Sequence, residues 1–186
     1  MSTEPLQAVF ASTREVLANV KPDQMQSATP CESWNVGEVI NHIIDGQGFW
    51  QAGMNGTPPN SESQNWAEGD YLAAYDQATA ATLEAFDQSG ALERMVALPF
   101  GEMPGGAVMG LVMNDTFTHG WDVAKATGQD TNLAPELAQA ILGQAQQSIP
   151  DAFRGDNGQA PFVHAKDCAD GSCAADQLAA FLGREV

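Results

Sequence analysis

Apolar residues recur at helical spacing from the start of the chain. Leu6, Val9, Phe10, Thr13, Val16, Leu17 and Val20 share one stripe, after Thr3 and with Pro5 in the opening turn. That is the pattern of an amphipathic helix burying one face, and Lys21-Pro22-Asp23 closes it. A second stripe of Val36, Val39, Ile40, Ile43 and Ile44 follows an irregular approach from Ser27 to Trp34. Asn35, with Glu38 three residues later, has the form of a capping box for this helix. Its predicted end is near Phe49 and Trp50. Residues 53–69 are rich in Gly, Pro, Asn and Ser around Trp66, and read as a long loop of the kind that borders a site.

The periodicity then resumes. Asp70 can cap a third helix with the stripe Leu72, Tyr75, Thr79, Leu83 and Phe86, ending at Gly90. Residues 94–100 read as extended, stopped by Pro99 and Gly101. Pro104-Gly105-Gly106 opens a fourth helix, with Lys125 in its last turn and Gly128 just beyond as end signals. Pro135 opens a fifth, whose inner face is Leu137, Ile141, Leu142 and Ala145, and Pro150 breaks it. Residues 151–172 look loop-like, and a short helix over 174–182 stops at Gly183. Four long helices with short extras, without an internal repeat or a dividing linker, predict an all-α bundle forming a single domain over 1–186.

Composition narrows the function classes. With 24 acidic against 7 basic residues the formal net charge is −17. A surface so negative repels phosphate backbones and anionic lipid, so neither nucleic acid nor membrane is an expected partner. No apolar run approaches a membrane span. Three irregularly spaced cysteines do not form a disulfide framework. The opening Met-Ser-Thr-Glu-Pro runs straight into the first stripe without the look of a signal peptide. The expected location is cytoplasmic.

The fourth helix carries the first candidate chemistry. Asp115 and His119 lie four residues apart, one turn above the other on a single helical face. A carboxylate and an imidazole so placed can close on one metal ion. The chain holds only three histidines, and His42 lies beside the apolar stripe of the second helix. Two readings follow: a metal site of His42, Asp115 and His119 between facing helices, or a surface Asp–His pair with an unrelated, hydrogen-bonded His42. Two imidazoles and a carboxylate with one open position suit catalytic zinc and also non-haem Fe(II). The open position matters because it lowers the pKa of a bound water or thiol.

Neighbouring residues supply competitors. Asp122 could replace Asp115 as the carboxylate, but is expected to accept a hydrogen bond from an imidazole or to pair near the helix end. Phe117 and Trp121 read as core. Gly110 and Gly120 each cost a helix about 1 kcal/mol relative to Ala, which suggests close packing or room for a ligand. In the tail, His164, Cys168 and Cys173 loosely resemble a zinc loop, although a solvated acidic turn with an adventitious disulfide fits the spacing better. Cys31 is either a small buried hydrophobe or a thiol near the site. Phosphate-binding glycine loops and the Gly-x-Ser-x-Gly elbow are absent.

Two longer motifs sharpen this picture. Thr29-Pro30-Cys31-x-x-Trp34-x-Val36 followed by His42, and Asp115-x-x-x-His119-Gly120-Trp121-Asp122-x-Ala124 running to Gly128, resemble the DinB-like superfamily. Within it they look most like the branch related to the N-terminal domain of mycothiol-dependent maleylpyruvate isomerase. The Leu98-Pro99-Phe100-Gly101 stretch and the closing segment from Asp176 to Arg184 are similar as well. The resemblance implies a DinB-like four-helix bundle with short additional helices. It also implies a divalent metal, commonly zinc, whose ligands fall on His42, Asp115 and His119.

Asp115 stands where the better-known enzymes carry histidine or glutamate, and a counterpart of the isomerase's extra C-terminal domain is not expected, so its specific reaction is not carried over. The implied function is a thiol-dependent S-transferase or isomerase in which the metal activates a low-molecular-weight thiol toward an electrophilic substrate. A non-catalytic metal-binding or stress-response protein of the same fold is the alternative. A homodimer paired through a helix face is a further expectation.

Overall fold

The computed structural model describes residues 2–31, 34–59, 64–156, 159–160 and 162–186. Glu32 and Ser33 of the approach to the second helix, residues 60–63 of the loop, and 157, 158 and 161 of the tail lie outside this set. Four helices form the bundle: α1 (Glu4–Ala18), α2 (Val36–Asn55), α3 (Tyr71–Asp87) and α4 (Gly105–Thr127). The starts of α2 and α3 and the end of α4 lie where the sequence places them. Asn35 accepts from the Glu38 amide while Glu38 accepts from the Asn35 amide, a reciprocal capping box at the start of α2. Asp70 caps α3 through the amide of Ala73. Gly128 ends α4 in the left-handed conformation at φ 71°, where a side chain would be strained.

Around the bundle α1 packs on α4, α4 on α2, α2 on α3, and α3 on α1. A second pair, α5 (Pro135–Ser148) and α6 (Ala174–Phe181), packs together and against α4. Every residue from Thr116 to Ala124 is buried, so α4 is the axis of the molecule. The α1 stripe is buried at all of its predicted positions, and Trp121 is the largest fully enclosed side chain. At Gly120 a methyl group would stand 2.7 Å from the hydroxyl of Thr13. That hydroxyl donates to the carbonyl of Thr116, so Gly120 serves a close α1–α4 approach.

Two elements differ from expectation. Helix α2 runs on past Phe49 and Trp50 to Asn55, with Gly56 as its left-handed cap. Within this extension a methyl at Gly53 would meet Leu98 at 2.6 Å, so a residue that reads as the start of a loop is instead a contact point for β1. The extended stretch is the first arm of an antiparallel hairpin, β1 (Met95–Leu98) with β2 (Gly101–Pro104). The second arm escapes a sequence reading because its four residues carry no alternating pattern. In the tail, β3 (Arg154–Gly155) and β4 (Phe162–Val163) form a small parallel pair. No helix among the described residues is long and apolar enough to cross a membrane.

Tyr75 gives the bundle a pH signature. Its ring is 1% exposed and its hydroxyl donates to the carbonyl of Phe10. Burial pushes its pKa far above the ordinary value of 10. The folded state therefore keeps the proton that the unfolded chain releases above about pH 10, and stability falls as the pH rises past that point, by about 1.4 kcal/mol per unit. Urea denaturation at successive alkaline pH values should show this slope in the parent and lose most of it in Tyr75→Phe. Parallel curves for the two proteins would show that Tyr75 is not responsible.

Candidate metal centre

His42 extends from the middle of α2, and Asp115 and His119 extend from adjacent turns of α4. The packing of α2 on α4 brings the three together. Nε2 of His42 lies 3.5 Å from Oδ1 of Asp115, and Nε2 of His119 lies 3.6 Å from the same oxygen. The ligand-capable atoms of all three residues lie within 4.8 Å of one another. These separations are long for charge-assisted hydrogen bonds. They approach the edge of about 3.3–3.4 Å that bond lengths near 2.0–2.1 Å give around tetrahedral zinc. Both the donor set and its spacing thus fit a divalent cation.

The surroundings hold the ligands in place. Nδ1 of His119 is 3.0 Å from Oδ2 of Asp122. An ionised carboxylate only accepts, so Nδ1 carries a proton, and when the imidazole is neutral its lone pair lies on Nε2, the atom that faces Asp115. Asp122 is fully buried and also accepts from Nη2 and Nε of Arg184 at 2.9 and 3.2 Å. Burial alone would raise its pKa, but the hydrogen bond from His119 and the Arg184 charge outweigh that and hold it below the ordinary 3.8. Burial also works against the Asp115 carboxylate. There the hydrogen bond with His42 and the charges of His119, His42 and Arg184 prevail and keep the pKa low. Trp34 stacks on His42, with ring centres 4.4 Å apart at 31°, and leans on His119 at 5.6 Å.

The triad opens into a cavity of about 460 Å³. The tail lines it as well, through residues that include Phe162, His164, Lys166 and Arg184, and so does Cys31. None of the described residues of the 53–69 loop lines it, which corrects the expectation that this loop borders the site. The reason is local. Trp66 donates to Asp45 and the amide of Ala67 donates to Asn41, tying the loop to the flank of α2.

The tail residues are used separately. His164 faces the cavity, whereas Cys173 caps α6 by accepting from the amide of Asp176. Cys168 and Cys173 are not joined in a disulfide. Among the described residues, His164, Cys168 and Cys173 do not form a cluster that could hold a metal. A second cluster does exist, of Cys31, His119 and Asp122, but Asp122 is already engaged by His119 and Arg184.

The sequence leaves Asp122 to accept from an imidazole or to pair near the helix end, and it does both, with His119 and Arg184. The contributions of Trp34, Arg184 and the tail depend on contacts between segments far apart in sequence, for which a single chain offers no periodic signal.

Comparison with known proteins agrees with this architecture. The family model of the DinB superfamily matches residues 6–123, a span that includes His42, Asp115 and His119. Two relatives from strains of Mycobacterium tuberculosis, named Uncharacterized protein MT0763 and Uncharacterized protein Rv0738, are each 38% identical, covering 100% of this chain and 97% of the relative. No solved structure matches the chain. With the family model spanning most of α1 through the site-bearing part of α4, the chain belongs to the DinB superfamily.

Proposed function

We propose that this protein is a zinc-dependent enzyme of the DinB superfamily, with His42, Asp115 and His119 as the metal ligands, that carries out S-transfer or isomerisation with a low-molecular-weight thiol. The observation that supports this most is the position of the three ligand atoms on the floor of a cavity of about 460 Å³, within the range of small-ligand sites. The similarity of the two motifs to the metal-binding domain of mycothiol-dependent maleylpyruvate isomerase supports the choice of a thiol. A divalent cation there would supply a Lewis acid with an open position toward the cavity, suited to holding a sulfur in its nucleophilic form.

The chain's own residues would do the rest. Asp122 keeps the His119 proton on Nδ1, and Arg184 balances the buried carboxylate. Trp34 orients the His42 ring by stacking. Phe162 and Leu182 give the cavity apolar surface, while His164 and Lys166 add polar donors in a chain with few basic groups.

A titration tests the reading. Protein as purified, protein stripped with a chelator, and stripped protein reloaded with zinc are each titrated calorimetrically with a panel of low-molecular-weight thiols. Saturable binding is expected in the first and third and not in the second. If no thiol binds any form, the thiol-dependent reading fails. Equal binding with and without metal would separate the thiol site from the metal centre.

A further inference from the structure

The carboxylate of Asp115 has two oxygens, and Oδ1 is the nearer one to both histidines. Oδ1 lies 3.5 and 3.6 Å from the two imidazole nitrogens. Oδ2 turns to α2, toward Gly46, one turn beyond His42. A methyl group at Gly46 would stand 3.7 Å from Oδ2 and 3.9 Å from Nε1 of Trp50. The indole nitrogen of Trp50 is buried and has no hydrogen-bond partner among the described residues. A buried N–H without a partner is uncommon and costly.

Helix geometry explains the arrangement. Long side chains on a helix lean back toward its N-terminus, over the residue four positions earlier. For Trp50 that residue is Gly46, whose missing side chain leaves the indole edge and the Asp115 carboxylate flanking the same bare patch of backbone. His42, Gly46 and Trp50 follow one another at four-residue intervals on α2, so a single ridge carries a ligand, a gap and a donor.

We propose that Trp50 is the positioning residue of the Asp115 carboxylate: its indole N–H, reaching over Gly46, holds Oδ2 through one water and keeps Oδ1 turned to the two imidazoles. The chemistry suits the task. An indole N–H only donates, so it cannot compete for a cation and favours the ionised carboxylate. The terminal torsion of aspartate is soft. With Oδ2 held, the carboxylate offers one oxygen and leaves a coordination position for a ligand. With Oδ2 released, it can swing to two-oxygen binding and close that position. Ligand carboxylates are commonly supported in this way by outer hydrogen bonds.

The assignment rests on His42, Asp115 and His119 holding the cation, and the test separates the two. Zinc affinity is measured by chelator competition in the parent, in Trp50→Phe, which keeps the aromatic bulk and removes the N–H, and in Gly46→Ala, which places a methyl in contact with both donor and carboxylate. Visible spectra of the cobalt(II)-loaded proteins and thermal unfolding of the metal-free forms are recorded alongside. Both variants should bind zinc roughly 10–100-fold more weakly and show an altered cobalt spectrum, with metal-free stability close to the parent's.

Affinity within twofold of the parent and an unchanged cobalt spectrum in Trp50→Phe would overturn the assignment while leaving the metal centre intact. If Trp50→Phe does not fold, the same readouts on Gly46→Ala decide. A parent that binds no zinc overturns both readings.

Discussion

In His42→Ala and in His119→Ala the metal content of purified protein is expected to drop from about one equivalent to background, as for any site that loses one of three protein ligands. The loss of affinity should exceed the roughly 10–100-fold that removal of an outer hydrogen-bond partner alone can cost. The two variants are not equivalent probes. His42 is one-third exposed in its side chain, so truncating it leaves little unsatisfied. His119 is buried and shares Asp122 with Arg184, so its removal also withdraws one partner from a buried carboxylate and should lower stability. His42→Ala is therefore the cleaner measurement, made by elemental analysis of protein that has never met a chelator. Cys168→Ser and Cys173→Ser serve as controls and should keep their metal. Full metal retention in both histidine variants would sink the assignment of these ligands.

The largest effect on stability is expected at Trp121. Its side chain is completely enclosed, and its indole nitrogen donates to Oδ1 of Asp176 at 2.9 Å, joining α4 to α6. Truncation to alanine combines lost burial with a cavity and an abandoned acceptor, so Trp121→Ala should cost about 3–5 kcal/mol. A typical domain has only about 5–15 kcal/mol to lose. Trp121→Phe should recover much of the packing without the hydrogen bond. Urea unfolding of the three proteins gives the ordering parent, Phe, Ala. A cost below about 1 kcal/mol for Trp121→Ala would mean that the site collapses freely, against the close packing expected of such a core.

Much of this architecture is legible in the chain because helices advertise themselves locally. The α1 stripe, the Asn35–Glu38 box, the Asp70 cap and the Gly128 terminator all act within a few residues of one another. The extension of α2 through Gly53 is hidden because that glycine answers to Leu98, a tertiary neighbour. At the site, the four-residue spacing of Asp115 and His119 can be read directly, and so can the chance of Asp122 serving His119. That His42 meets them depends on how α2 packs against α4. Spacing groups His164 with Cys168 and Cys173, yet the folded tail turns His164 to the cavity and gives Cys173 to the start of α6. Trp50 looks like the end of a helix, and its relation to Asp115 emerges only when Gly46 is seen between them.

The unbroken burial of Thr116 to Ala124 has a consequence for the rigidity of the site. Backbone amides on an enclosed helix exchange with solvent only through large-scale opening of the molecule, whereas segments with few buried contacts open on their own at little free-energy cost. The tail at the cavity is itself tied down: Arg154 donates to the carbonyls of Val163 and Phe181, and the amide of Lys166 donates to the carbonyl of Ala180. The amides of Thr116 to Ala124 are therefore expected to exchange only with global opening, so the turn that bears His119 stays fixed for as long as the molecule is folded.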